Sequence, residues 1–313
     1  MTTVHGLSPK DSAALTRRVT MLSVGTAAIL VTIKIVAWLA SGSVAMLASM
    51  ADSGLDLVAS LATFYAVRYA VAPPDAEHRY GHGKAEAFAS LLQGGLVFAS
   101  AALIGREAIG DFLHPHALKQ EGWAVAVMAI STGLTALLLM AQGRVLKQTN
   151  SVAVSGDRAH YAMDLASNVV ALAGIAASAW LGINGLDAFA ALVIAALLLW
   201  GAVGVFREAA SQLMDQELPD SARARIVELM TADPRLTDVH QLRTRASGPY
   251  IHMQMHIDMD PELTLETAHQ VIVAAENRLL EAFPSADIII HADPRGRAEP
   301  HGGAFAEIHP GHT

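Results

Sequence analysis

Two acids, Asp52 and Asp56, stand four residues apart in Asp-Ser-Gly-Leu-Asp, and His160 and Asp164 stand four apart in His-Tyr-Ala-Met-Asp. On an α-helix this spacing puts both members of a pair on one face, one turn apart. Both pairs lie inside long apolar stretches, where a carboxylate is costly unless it is paired, hydrated or bound to a cation. Together they offer three carboxylates and one imidazole. Four such ligands suit tetrahedral Zn2+ and accept Fe2+, Cd2+ or Co2+. The same groups bind protons, so metal binding would release protons, which is the chemical basis for exchanging one for the other.

A second set, Asp75, His78 and His82, falls in the polar segment between the second and third apolar stretches. Glycines flank His82, so the three residues could wrap one metal or simply form a polar turn. A third group comprises His240, His256, His269, His291 and Asp293 near the carboxyl end. Each histidine alone suits a surface or packing role; gathered together they would make a metal cluster. His252 stands four residues from His256 on a predicted strand, about 13 Å away, and cannot share its metal. His114 and His116 read as loop residues, and His301, His309 and His312 as weak tail ligands at most. The chain has no cysteine, which excludes disulfides, thiolate zinc sites, iron–sulfur clusters and cysteine nucleophiles.

The elements that must position these groups are mostly apolar. Of the 313 residues 53% are hydrophobic and 16% charged, against about 45–50% and 25% in soluble domains. Six segments, 15–40, 44–70, 85–109, 123–145, 154–181 and 186–207, are long and apolar enough to span a bilayer. Connections 41–43 and 182–185 are short and favour antiparallel neighbours. Lys10, Arg17 and Arg18, then Arg68, Arg79 and Lys84, then Arg144, Lys147 and Arg158 mark alternate connections, which places both termini in the cytoplasm. Arg17-Arg18 before an apolar run resembles a twin-arginine export signal, but the run is too long for one and five more follow. Lys34, inside the first segment, reads as a snorkelling side chain.

Charge divides the chain at the same place as hydropathy. Residues 1–209 carry 13 basic and 13 acidic side chains, whereas 210–313 carry 8 basic and 16 acidic and hold the whole net charge of −8. An acidic soluble domain suits cations and disfavours nucleic acid. Its pattern reads α-β-β-α-β: helix 219–232, strands 239–246 and 250–259, helix 265–283 and strand 287–291. In the second strand Ile251, Met253, Met255, Ile257 and Met259 alternate with His252, Gln254, His256 and Asp258. The expected fold class is an α-helical membrane domain of six transmembrane helices plus an α+β ferredoxin-like (αββαβ) cytoplasmic C-terminal domain. The expected organisation is a cytoplasmic segment 1–14, a transport domain 15–209, a metal-binding and dimerisation domain 210–294, and a disordered histidine-bearing tail 295–313.

Through about Pro294 the chain resembles the cation diffusion facilitators, most of all their bacterial zinc and ferrous-iron efflux pumps. The likeness rests on the two four-residue pairs, on Gly81-His82-Gly83-Lys84-Ala85-Glu86, on Val239-His240-Gln241-Leu242-Arg243-Thr244-Arg245 and on Ile290-His291-Ala292-Asp293-Pro294. It implies a homodimer in the bacterial inner membrane, with both termini cytoplasmic, that exchanges Zn2+ or Fe2+, with Cd2+ and Co2+ as further substrates, for protons by alternating access. It implies a transport site of Asp52, Asp56, His160 and Asp164, and a loop site of Asp75, His78 and His82. A two-metal cluster of His240, His256, His269, His291 and Asp293 would have Asp293 as bridge, with Zn2+ structural there. It implies a charge contact between Lys84 and Asp215 as an interdomain hinge. His160 favours zinc-type selectivity, because manganese members of the family tend to lack that histidine. Three rivals stand beside this reading: a membrane-anchored metal sensor, an intramembrane metallohydrolase using metal-bound water, and a passive divalent-cation channel. A fully protein-ligated site leaves a hydrolase no open position, and a mere anchor has no need of carboxylates within its spans.

Overall fold

The computed structural model describes residues 7–41, 44–113, 122–181 and 186–296. The expected short connections at 41–43 and 182–185, His114 and His116, and the tail beyond 296 lie wholly or mainly outside them. The chain divides between Leu213 and Met214 into two units.

The first unit consists of six helices: α1 (Pro9–Ser41), α2 (Val44–Ala70), α3 (Ala85–Leu113), α4 (Gly122–Thr149), α5 (Val152–Leu181) and α6 (Leu186–Leu213). The shortest has 27 residues, a length of about 40 Å at the helical rise, enough to cross the hydrocarbon of a bilayer. Among the described residues four stretches are long and apolar enough to span: Lys10–Ala40, Ala85–Gly110, Ala126–Thr149 and Ala191–Leu213. α2 and α5, the carriers of the ionisable pairs, are not among those four.

Burial in this unit is inverted relative to a water-soluble bundle. Small residues such as Ala27, Ala59, Ala101, Ala153 and Ala202 are buried, whereas Leu22, Val36, Leu39, Leu55, Val58 and Trp200 face outward. That is the pattern of helices packed through small side chains in an apolar solvent. Thr16, Thr20 and Ser23, buried in the bundle, each donate to the carbonyl four residues earlier, so their hydroxyl protons are satisfied within α1 itself. α3 and α5 approach so closely that a Cβ at Gly156 would lie 2.9 Å from Ser90 Oγ and 3.0 Å from Ser90 Cα. Gly156→Val is therefore expected to push the two helices apart and to lower the protein's stability by roughly 1–3 kcal/mol. The check is the melting temperature of the detergent-solubilised protein; an unchanged value would mean that the packing there is loose.

The second unit comprises α7 (Asp220–Met230), β1 (Val239–Ser247), β2 (Tyr250–Met259), α8 (Leu265–Ala282) and β3 (Ala286–Pro294). The sheet order is β1-β2-β3, with β1 antiparallel and β3 parallel to β2, which is the α-β-β-α-β arrangement expected. Alternation along β2 sends Met253, Met255, Ile257 and Met259 into one core with Ile226 and Met230 of α7 and Val271, Ala275 and Leu279 of α8. The α8 residues are four apart and form one stripe, and Thr264 caps the helix by accepting from Thr267 N–H. The opposite face of β2 carries the polar set. β3 extends to Pro294, beyond the expected 287–291, because Arg295 N–H still bonds to Met259 O and keeps the strand paired through Asp293.

Candidate metal centres

In the helical unit, α2 and α5 bring together Asp56, His160 and Asp164, with one ligand atom of each within 4.8 Å of the others. His160 Nε2 lies 2.9 Å from Asp56 Oδ1 and 3.8 Å from Asp164 Oδ2. Asp56 and His160 are buried and Asp164 is half-buried. The 2.9 Å contact is a hydrogen bond and needs a proton between its two atoms. A metal bound at Nε2 would occupy the place of that proton, so this atom holds one or the other. Asp52, one turn before Asp56 on α2, is exposed and stands outside the three-residue cluster.

Lys34 does not snorkel as expected. Its ammonium donates to Ser53 Oγ at 2.6 Å and to Ser49 O at 3.2 Å, tying α1 to α2 beside Asp52. Two carbonyl and hydroxyl acceptors within reach on α2 satisfy the charge locally, so it need not run to the membrane surface.

Behind the cluster lies a carboxylate that the sequence reading did not single out. Asp157 is fully buried. Its two oxygens accept from Gln93 Nε2 of α3 at 3.0 Å and from Gln142 Nε2 of α4 at 2.8 Å. Gln142 also donates to Ser23 of α1, and Gln93 to Thr63 of α2. Tyr161 OH is shared between Ser60 Oγ and Ser23 O. Five helices thus meet on one polar hub, one turn from His160 on α5. The signal was present: Asp157, His160 and Asp164 are three and then four residues apart, a single helical face. Glu86 is a second such residue. It is buried, accepts from Ser151 Oγ at 2.5 Å and from the N–H groups of Val152 and Ala153, and so caps the amino-terminal end of α5 from α3.

The segment between α2 and α3 gathers Asp75, His78 and His82, again within 4.8 Å. His78 Nδ1 and His82 Nε2 each lie 3.2 Å from an Asp75 oxygen. His82 is buried and its Nε2 makes no hydrogen bond, an orphaned donor set that a cation would satisfy. Asp75 Oδ1 also accepts the N–H groups of His78 and Glu77. The His78 N–H foremost, over the opposing effect of what burial there is, and then the Glu77 N–H hold the Asp75 carboxyl below its ordinary value. Gly81 sits at φ +78°, a left-handed conformation that leads the chain into His82 at little cost for glycine. Lys84 donates to Leu213 O, the last residue of α6.

In the small unit, sheet register lines three histidines up in a row. His240 of β1 pairs with His256 of β2, which pairs with His291 of β3. Asp293 joins them: its Oδ2 is 2.9 Å from His256 Nδ1 and 3.2 Å from His240 Nε2, and its Oδ1 is 3.3 Å from His291 Nε2. His240, His256 and Asp293 have ligand atoms within 4.8 Å. Burial works to raise the Asp293 carboxyl, but the His256 hydrogen bond and the three imidazoles outweigh it and hold the group below its ordinary value. His240 Nδ1 and Asp258 Oδ1, 4.0 Å apart, are buried with no hydrogen-bond partner, a further pair that suits a cation. His269 is exposed on α8, outside the cluster. His252 Nδ1 bonds to Asp287 Oδ2 at 3.1 Å, apart from His256. Asp215 pairs with Arg245 at 3.1 Å within its own unit; its expected contact with Lys84 would join residues of different units.

His240 faces its partners only because β1 carries a bulge. The register shifts between His240 and Arg243, and Gln241 stands at φ +48°. Counting back from Thr244, which opposes core-facing Met253, strict alternation would turn His240 into the core. Leu242 already falls on the core side by that count; the extra residue brings Val239 there as well and turns His240 to the polar side.

A helical membrane unit with carboxylate and imidazole ligands buried between two helices, joined to an α/β unit bearing a second such cluster, defines a metal-handling membrane protein. Residues 20–214 match the model of the cation efflux transmembrane domain, and 218–295 that of the cation efflux protein cytoplasmic domain. The chain belongs to the cation efflux family, the cation diffusion facilitators, which are transporters and not enzymes. It is 38% identical over 282 residues to the cation-efflux pump FieF of Serratia proteamaculans, covering 90% of this chain and 94% of that one. It is 37% identical over 280 residues to FieF of Salmonella choleraesuis, covering 90% and 93%. Among solved structures it is similar to CzrB in its zinc form, at 30% identity and a TM-score of 0.26, covering 27% of this chain and 98% of that one.

Proposed function

We propose that this protein exports divalent metal cations, Zn2+ and Fe2+ foremost and Cd2+ and Co2+ after them, in exchange for protons. The observation that carries this reading is His160 Nε2 facing Asp56 and Asp164 between two helices of the membrane unit. The ligand chemistry matches the substrate class, and a site that holds either a proton or a metal at one atom is an exchanger's site. The names of the similar FieF pumps support efflux. All six helices span the membrane in this reading, and both termini lie in the cytoplasm.

The cycle has three steps. Metal arrives from the cytoplasm, drawn by the acidic second unit. It displaces the proton at His160, and Asp52 turns inward to complete four ligands. The helices rock, the site opens outward, and incoming protons compete the metal off. The Asp157 hub, shared by five helices, holds the α5 ligand face in place during this motion. The C-terminal cluster and the loop set bind metal for structure or sensing in a homodimer, with His269 and His291 as further ligands of the cluster.

The test is metal movement into proteoliposomes under an imposed pH gradient, with a zinc dye and a pH dye read together. Zinc flux matched by opposite proton flux is the expected result. Zinc flux indifferent to the proton gradient would mean a channel or uniporter, and binding without flux would mean a sensor.

A further inference from the structure

The outer surface where α4 meets α5 gathers three cations. Arg144 and Lys147 stand near the carboxyl-terminal end of α4 and Arg158 near the start of α5, all exposed. None makes a hydrogen bond or ion pair among the described residues. Arg158 reaches across to α4, where its Nε would be 3.7 Å from a Cβ at Gly143. The three side chains line one groove of about 510 Å³, and the rest of its wall is apolar, built chiefly from Ala136, Leu139, Met140 and Leu165.

Three like charges repel one another, and gathering them without acids costs energy that an anion would repay. The positive-inside rule explains basic residues at this level of the membrane. It does not explain their convergence from two helices onto one apolar groove. A ligand that fits has a compact anion at one end and a hydrocarbon chain at the other. Arg144 and Arg158 offer planar donor forks suited to phosphate oxygens, and Lys147 adds a point charge. Basic pockets between membrane helices hold lipid headgroups for these reasons.

We propose that the α4–α5 groove binds an anionic phospholipid, its phosphate held by Arg144, Lys147 and Arg158 and an acyl chain laid along Ala136, Leu139, Met140 and Leu165. Arg158 and His160 are two residues apart on α5, so they face opposite sides of the helix. The lipid therefore grips the outer face of the helix whose inner face carries His160 and Asp164. It braces α5 against α4 without touching the metal ligands. The proposal takes from the proposed function only that this unit lies in a bilayer, and its first readout is binding and needs no transport.

The experiment is native mass spectrometry of the full-length, delipidated protein with phosphatidylglycerol, with phosphatidylcholine of the same acyl chains, and with inorganic phosphate. The expected result is phosphatidylglycerol binding about tenfold or more tighter than phosphatidylcholine, with inorganic phosphate failing to displace it at equal concentration. In R144Q/K147Q/R158Q that preference is lost. Equal binding of the two lipids by the wild type overturns the proposal, whatever the variant does, as does a preference that survives in a folded triple variant. Displacement of the lipid by equimolar inorganic phosphate would mean an anion site without an acyl-chain site, and would overturn it too. In vesicles, metal flux is expected to rise severalfold when phosphatidylglycerol is added for the wild type and not for the variant.

Discussion

Asp56→Ala leaves the protein folded and lowers metal flux by at least about a hundredfold, more than the loss of a supporting group around a metal ligand costs. Asp56 is the only member of the described three-residue cluster that α2 supplies, and it makes the closest contact to His160, at 2.9 Å. Truncation removes a metal ligand and the hydrogen-bond acceptor of the same imidazole at once. Of the described cluster His160 and Asp164 remain, both on α5, and with Asp52 turned inward the proposed site would still be one ligand short of four. The fold should tolerate the change, because α2 keeps Ser60 on Tyr161 and Thr63 on Gln93. The cost in stability is about 1–3 kcal/mol from a buried polar group left unpaired. Zinc-dye flux and size-exclusion profile are measured on the same preparation. Wild-type flux from a folded Asp56→Ala protein would refute this site as the route of transport.

The second large effect is expected from Asp293→Ala. A single carboxylate faces His256, His240 and His291 at 2.9, 3.2 and 3.3 Å, so one substitution disconnects all three. Metal affinity of the small unit should fall by about a hundredfold or more. The core is untouched: β2 still buries Met253, Met255, Ile257 and Met259. Zinc titration of the full-length protein, in an Asp56→Ala/Asp75→Ala background that disables the other two ligand sets, reads the change. The companion change is deletion of Gln241. It removes the extra residue and lets strict alternation run from Thr244 through Leu242 to Val239 on the core side, so His240 stays on the polar face opposite His256 and zinc affinity should stay near the wild-type value, in contrast to Asp293→Ala. Undiminished zinc affinity in Asp293→Ala would show that the histidines bind metal without their shared carboxylate.

How much of this was legible before the structure depends on whether the pattern is local. The four-residue spacings of Asp52 with Asp56 and of His160 with Asp164 are helical periodicities, and alternation along β2 is a strand periodicity. Both appear in the fold, as do the six helices and the α-β-β-α-β order. Local periodicity assigns a residue to a face of its own element and goes no further. It could not tell that Asp56 meets His160 while Asp52 is exposed, because that depends on how α2 is rotated against α5. Nor could it foresee that Lys34 finds Ser53 across a helix interface.

Composition and spacing by themselves determined that this is a membrane chain with an acidic α/β unit, with carboxylate–imidazole pairs placed where hydrocarbon makes them costly. The tertiary structure alone decided which ligands close on one another. A bulge at Gln241 chose the side His240 faces. Sheet register set His240, His256 and His291 abreast, and close approach at Gly156 seated α5 against α3. Five helices converging on Asp157 turned one more acid into a structural hub. The reason is physical: the twist and pleat of an element follow from its own backbone, whereas rotation and register between elements are settled by packing among residues far apart in the chain.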